Sequence, residues 1–264
     1  MRGSHGASHM RGGFKFAVLV AGCVICHLAS AAAFTPPPES AIPKGPLGDS
    51  VRRGEQIFTA THKYAGPFVN NHLNCSNCHL DGGRKADSIP MWGAWPLYPQ
   101  FRTKNGKVNT MALRIQECFL YSMNGKKPPA DSDTVTDLES YFAWLATGAP
   151  TGATLPGSGY PVLPPSKNPG DAERGAQLFA KSCAACHGAD GRGNEAAGIP
   201  ALWGSGSFNK GAGMHEVEKA ARFIRANMPQ GQENTLTPDQ ARDVAAYINS
   251  KPRPADPRTP ASKN

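Results

Sequence analysis

Large apolar residues recur at helical spacing in two well-separated places and run almost unbroken in a third. In Thr136-Asp-Leu-Glu-Ser-Tyr-Phe-Ala-Trp-Leu145 and Thr237-Pro-Asp-Gln-Ala-Arg-Asp-Val-Ala-Ala-Tyr-Ile248 they fall on one face of a 3.6-residue repeat. Each segment opens on a threonine able to accept a first-turn N–H, so amphipathic helices capped by Thr136 and Thr237 are predicted. A shorter matching pair, Arg53-Gly-Glu-Gln-Ile-Phe58 and Arg174-Gly-Ala-Gln-Leu-Phe179, predicts a helix earlier in each half. Residues 146–171 break both patterns. Leu155-Pro-Gly-Ser-Gly-Tyr-Pro161 and Pro164-Pro165 cannot continue a helix, and the stretch reads as an extended linker. Residues 254–264, with Pro254, Pro257 and Pro260 among small and charged side chains, read as a disordered tail.

The third apolar run, Phe16 to Phe34, is of another kind. Arg11 and Lys15 precede it and small residues at Ala31 and Ala33 close it, the order of an export signal. Residues 1–10 read as a leader added for expression, with Met10 the natural start, so residues 1–33 stand outside the fold. Cleavage near Ala33 leaves no apolar stretch of roughly 18 residues, so the expected mature protein is periplasmic and soluble, without a membrane span. Two strings inside the signal are decoys. Val20-Ala-Gly-Cys23 imitates a lipidation site, yet the chain stays apolar beyond it; Cys23-Val-Ile-Cys26-His27 imitates a haem motif in a segment that is discarded.

Composition narrows the class. With 39% apolar and 18% charged residues the chain fits globular domains, while 29 Gly and 24 Pro point to loop-rich folding organised by something besides a large core. The formal charge is +8, but Arg2, Arg11 and Lys15 belong to the leader and signal. The 25 bases against 20 acids that remain are too diffuse for a nucleic-acid partner.

Without Cys23 and Cys26 the cysteines are Cys75, Cys78, Cys118, Cys183 and Cys186, an odd number that argues against a simple disulfide framework. Four of them form Cys75-Ser-Asn-Cys78-His79 and Cys183-Ala-Ala-Cys186-His187, the pattern of c-type haem attachment. Thiols three positions apart on one turn reach two porphyrin vinyl groups, and the adjoining imidazole reaches the iron. A dithiol redox pair or half of a zinc site also uses C-x-x-C, but neither needs the histidine twice over behind an export signal. Two covalently bound haem c groups are expected.

The repeat runs on. Asp81-Gly-Gly-Arg84 answers to Asp190-Gly-Arg-Gly193, and Ile89-Pro-Met-Trp-Gly93 to Ile199-Pro-Ala-Leu-Trp-Gly204. Two domains of one design follow, residues 34–145 and 172–253, the first with 13 extra residues between its Arg-Gly segment and its haem motif. Each resembles class I cytochrome c, which implies a mainly α fold of two such domains joined by a long Gly/Pro-rich linker, the porphyrin supplying much of each core.

The sixth iron ligands separate the halves. Met228 lies 41 residues after His187, where such cytochromes place an axial methionine, with Met214 as its rival. A similar count of 39 from His79 reaches Cys118 instead. A thiolate opposite His79 donates electron density and holds that haem at low potential; the alternative is an inert buried thiol, with Met111 or Met123 on the iron. Arg114 stands one helical turn before Cys118 on the same face. Lys104 and Lys107 precede that helix, and Lys126 and Lys127 follow it. The alternative for these cations is a solvated surface charge, a reading that fits the lysines better than Arg114.

Taken together, Arg114-Ile-Gln-Glu-Cys118-Phe-x-x-Ser-Met-Asn124-Gly125, Ser207-Phe-Asn209-x-Gly-Ala-Gly213-Met214 and Met228-Pro229-x-Gly231 resemble the dihaem thiosulfate dehydrogenases over roughly residues 45–253. The resemblance implies a His79/Cys118 active-site haem and a second, electron-transferring haem. It implies that two thiosulfates are joined reversibly into tetrathionate, electrons passing singly to the second haem and on to an acceptor cytochrome or other small carrier. By the same resemblance Cys118 leaves the iron and carries substrate sulfur, Arg114 is an active-site arginine, and Lys104 stands where relatives carry another basic residue. Thiosulfate is a dianion, so fixed positive charge at the site is a physical requirement as well. Some relatives place a lysine directly before the axial methionine; here that residue is Asn227, which predicts plain His187/Met228 ligation in both oxidation states.

Two other classes compete: a non-catalytic electron shuttle, with no role for Cys118, and another sulfur-compound enzyme with a Cys-ligated haem. Low-temperature electron paramagnetic resonance of the isolated protein separates them. We expect two low-spin haems, one with thiolate character; two methionine-type signals would leave only the shuttle.

Overall fold

In a computed structural model that describes residues 1–3, 6 and 34–259, the helices follow the internal repeat. The first half contains α1 (Pro46–Thr59), α2 (Met111–Tyr121) and α3 (Asp133–Leu145); the second contains α4 (Ala172–Ser182), α5 (Val217–Asn227) and α6 (Pro238–Ser250). Short helical turns and loops fill the remainder, and a small antiparallel hairpin pairs β1 (Gln100–Arg102) with β2 (Lys107–Asn109). The described residues 34–259 belong to one compact unit. No helix of the described residues is long and apolar enough to cross a membrane.

The shared Arg-Gly of α1 and α4 has a geometric cause. A Cβ on Gly54 would stand 2.0 Å from the Asp137 carbonyl oxygen of α3, and one on Gly175 would stand 2.0 Å from the Asp243 carbonyl oxygen of α6. Only glycine admits so close a helix crossing. The preceding arginine then meets the partner helix's own aspartate: Arg53 Nε and Nη2 donate to Asp137 at 2.8 and 2.9 Å, and Arg174 repeats this on Asp243 at the same two distances. Both aspartate side chains are buried, so the forked pair neutralises a charge that burial would otherwise penalise.

Around these crossings lie two cores. Phe58, Trp92, Phe119, Leu138 and Tyr141 are fully buried in the first; Phe179, Ala221, Val244 and Ala245 anchor the second. Thr237 caps α6 as its sequence predicts, in a reciprocal box in which its Oγ1 accepts from Gln240 N–H and Gln240 Oε1 accepts from Thr237 N–H. Thr136 does not cap α3. That helix begins one turn earlier, with Ser132 at the cap and Asp133 in the first turn, because Val135 is fully buried and extends the apolar face backwards.

Residues 146–171 contain no helix or strand, but they do not swing free. The Gly157 carbonyl accepts from Asp87 N–H at 2.8 Å, Leu163 is buried in the second core, and the Pro164 carbonyl accepts from Arg242 Nη2 at 2.8 Å. Residues 254–259, expected in a disordered tail, are instead laid against the molecule. The Pro254 carbonyl accepts from Lys210 N–H, and the Arg258 guanidinium sits 5.0 Å from the centre of the Tyr121 ring. Proline composition forbids a helix there without forbidding side-chain packing. Residues 260–264, and the export signal, lipidation string and haem-like string at 11–33, lie outside the described residues.

The crossing glycines give a stability test. Gly54→Ala and Gly175→Ala should each destabilise the haem-loaded protein by about 1–3 kcal/mol, the cost of an overpacked contact of this kind, read as a lower urea midpoint. Unchanged midpoints would mean that the helices are not held at this distance.

Candidate functional site

The first haem motif sits on a tight turn, Cys75–Asn77, followed by Cys78 and His79. Asn77 Oδ1 accepts from Asn74 N–H at 2.7 Å and Thr61 Oγ1 accepts from Cys75 N–H at 3.1 Å, which fixes the turn. Burial pushes the Cys75 and Cys78 thiols up to about 12 and the Cys183 thiol to about 11. A C-x-x-C pair built for thiolate chemistry is shifted the opposite way, so these are neutral thiols suited to thioether bonds. No group of three His, Cys, Asp or Glu among the described residues is arranged to hold a metal ion.

Both histidines are held for ligation. Burial lowers His79 to about 4, and its Nδ1 lies 2.8 Å from the Ile89 carbonyl oxygen. A neutral ring donating from Nδ1 leaves the Nε2 lone pair free, the arrangement by which outer-shell partners orient metal-bound histidines. Burial also lowers His187, whose Nδ1 lies 3.1 Å from the Pro200 carbonyl oxygen. Ile89-Pro90 and Ile199-Pro200 are equivalent in sequence, yet the acceptor is the isoleucine in one half and the proline in the other. The first loop reaches its register by holding Ile89 at φ 53°, a left-handed conformation rare for a β-branched residue and costly by order 1–3 kcal/mol. Paired thiols three positions apart, each followed by an imidazole oriented by a backbone carbonyl, fit two haem c groups.

Cys118 and Arg114 project from α2, whose adjoining face buries Ile115 and Phe119. Thr110 caps the helix by accepting from Leu113 N–H. Both site residues are half-buried, and the structure brings them to the first haem motif. The Cys118 sulfur is the main influence raising the Arg114 pKa, with burial opposing, and it also contributes to the rise at Cys75 and Cys78. The nearest carboxylate to Arg114 is Glu117 at 3.8 Å, a loose contact that leaves the guanidinium free to bind an anion.

Tyr98 and Tyr160 complete the surroundings. Burial pushes both phenols up, and each is coupled to Arg114 and Cys118. Tyr160 went unnoticed in the sequence because it sits in the linker, where proline and glycine dominate; its only signal was being a large aromatic in such a segment. Its ring meets Phe223 edge-on at 5.6 Å and its hydroxyl lies 3.9 Å from Met214 Sδ, so it packs on the second half while Cys78, Arg114 and Cys118 of the first act on its hydroxyl. Met214 packs against both cores, while Met111 and Met123 are buried in the first. Met228 caps the C-terminal end of α5, half-buried against the second core.

Lys104 sits in the β1–β2 turn, where its ammonium donates to the Gly211 carbonyl at 2.7 Å and lies 5.4 Å from the Tyr121 ring. Burial lowers its pKa, and Arg114 is among the nearby cations that add to this. Its hydrogen bond ties it to the second half. Lys107, Lys126 and Lys127 are exposed. The Ser207-Phe-Asn209 motif is likewise a docking element: Asn209 donates from Nδ2 to the Leu120 carbonyl at 2.9 Å and from its backbone to Tyr121, and the Ser207 carbonyl accepts from Asn71. It grips the end of the helix that carries Cys118.

Comparison with known proteins agrees with this division. A family model described as SoxA/TsdA, cytochrome c domain, matches residues 59–151, and one described as Cytochrome c matches residues 172–251. The chain is 50% identical over 228 residues to a thiosulfate dehydrogenase of Stutzerimonas stutzeri, covering 85% of this chain and 74% of the relative. It is 47% identical over 234 residues to one from Thiomonas intermedia, covering 88% and 74%. Among solved structures it is similar to the thiosulfate dehydrogenase (TsdBA) of Marichromatium purpuratum, with TM-score 0.84 and 50% identity. That match covers 87% of this chain but 51% of the other, so the chain spans about half that protein's length.

Haem counting checks the motifs. Replacing Cys75 and Cys78 together by alanine, or Cys183 and Cys186 together, should each leave one covalent haem per chain by pyridine haemochrome after acid–acetone extraction. Two haems surviving in either variant would unseat the motif concerned.

Proposed function

The chain belongs to the thiosulfate dehydrogenase family, and on that premise we propose that it joins two thiosulfates into tetrathionate in the periplasm after export by residues 11–33. It is a dihaem oxidoreductase with two covalently bound haem c groups. In our reading His79 and Cys118 ligate the first iron and His187 and Met228 the second. The reading rests above all on the convergence of Cys118 and Arg114 with the first haem motif.

When bound, the haems supply one-electron acceptors, two of which match the two electrons released per tetrathionate. The protein's own part is to gather dianions and to handle sulfur. Arg114, 34% exposed and weakly paired, offers a fixed cation beside the Cys118 sulfur, which offsets the cost of bringing thiosulfate into a partly buried site. A bond between Cys118 Sγ and the terminal sulfur of one thiosulfate forms with loss of two electrons. Attack of a second thiosulfate on that sulfur then releases tetrathionate and restores the Cys118 thiolate. Atoms and charge balance as two thiosulfates to one tetrathionate and two electrons. Tyr98 and Tyr160, protonated at neutral pH, line the site without adding charge. Electrons leave through the second half to an acceptor cytochrome or other small carrier.

Steady-state assays with thiosulfate and an artificial acceptor test this. Arg114→Gln should raise KM roughly ten- to a hundredfold, the loss of one charged hydrogen bond, and Cys118→Ala should abolish turnover. Full activity in the Cys118 variant, or a product other than one tetrathionate per two thiosulfates, would overturn the proposal.

A further inference from the structure

The loop that carries the second half's methionine touches the loop that orients the first half's histidine. Asn227, immediately before Met228, is fully buried. Its Nδ2 donates to the Asp87 carbonyl at 2.9 Å and to the Phe223 carbonyl of its own helix at 3.3 Å. Two residues beyond Asp87, the Ile89 carbonyl accepts from His79 Nδ1 at 2.8 Å. Asp87 and Ile89 both hold left-handed conformations, at φ 62° and 53°, and the Asp87 N–H is fixed on Gly157. The segment between them thus has little freedom to move without turning the carbonyl that His79 depends on. Outside the contact, Lys85 Nζ and Glu233 Oε1 pair at 2.9 Å across the same two loops.

We propose that Asn227 is a positioning residue that ties Met228 to the His79-orienting loop, so that the two haem potentials are set jointly. The inference rests on the ligand assignments proposed above. A buried amide holding a carbonyl of the other half has no water to replace it, and its loss leaves Asp87 O unpaired as well. Any resulting tilt of the 87–89 segment changes the hydrogen bond to His79, and outer-shell bonds of this kind tune the ligand and its metal. At the other end, Met228 loses the buried anchor one residue before it. An ordinary packing role for Asn227 predicts lower stability and nothing at the first haem.

The test uses the dihaem protein with Asn227→Leu, close in volume and without a donor, and the smaller Asn227→Ala; neither changes net charge. Redox titration should show both midpoint potentials displaced from wild type in each variant. The electron paramagnetic resonance of the first haem should shift although no residue of the first half was altered. Movement of the second haem alone, or of neither, overturns the proposal. Loss of haem from both variants, read by pyridine haemochrome, assigns the contact to folding and overturns it too. The near-infrared methionine band of the wild-type protein keeps the two readings apart. Its absence removes Met228 as a ligand; its presence with an unmoved first haem removes only the tether.

Discussion

A buried, neutral imidazole that donates from one ring nitrogen to a backbone carbonyl is the constraint on which the rest of each half depends. It fixes the tautomer, so the other nitrogen can only accept, and it costs nothing in charge because burial has already driven the ring below its usual range. The surrounding architecture serves that bond. Helix crossings at Gly54 and Gly175 bring the flanking helices close enough to leave the intervening loops short paths, and the forked Arg–Asp pairs lock the crossings in place.

On this common frame the halves diverge in their candidate ligands. Cys118 stands beside a cation in the first half, and Met228 packs against an apolar core in the second. In the proposed reading, a cysteine beside a weakly paired arginine suits an anionic sulfur substrate, whereas a methionine ligand raises the potential of a haem that passes electrons on.

The halves are also bound to each other more firmly than a Gly/Pro-rich connection suggests. Asn209 grips the end of the Cys118 helix, Lys104 reaches Gly211, Asn227 holds Asp87, and Lys85 pairs with Glu233. Most of these are side chain to backbone carbonyl bonds. Such bonds specify position without requiring a matching side chain on the other surface, so no complementary pattern marks them in the chain.

Haem motifs, the internal repeat, the mainly α class and the suspicion attached to Cys118 were all legible in the sequence, because each rests on fixed spacings along one short segment: three positions for a thiol pair, four for a helical turn, 3.6 for an apolar face. Thr237 as a cap was legible for the same reason. What needed the folded chain were relations between segments far apart in sequence. The true start of α3 followed from the burial of Val135; the carbonyls of Ile89 and Pro200 changed register between equivalent loops because the backbone is held differently; Lys104 turned to the second half, and the linker and residues 254–259 found surfaces to lie on. Local chemistry is written in neighbouring residues, while a long-range contact depends on where two backbones come to rest, and no single segment records that.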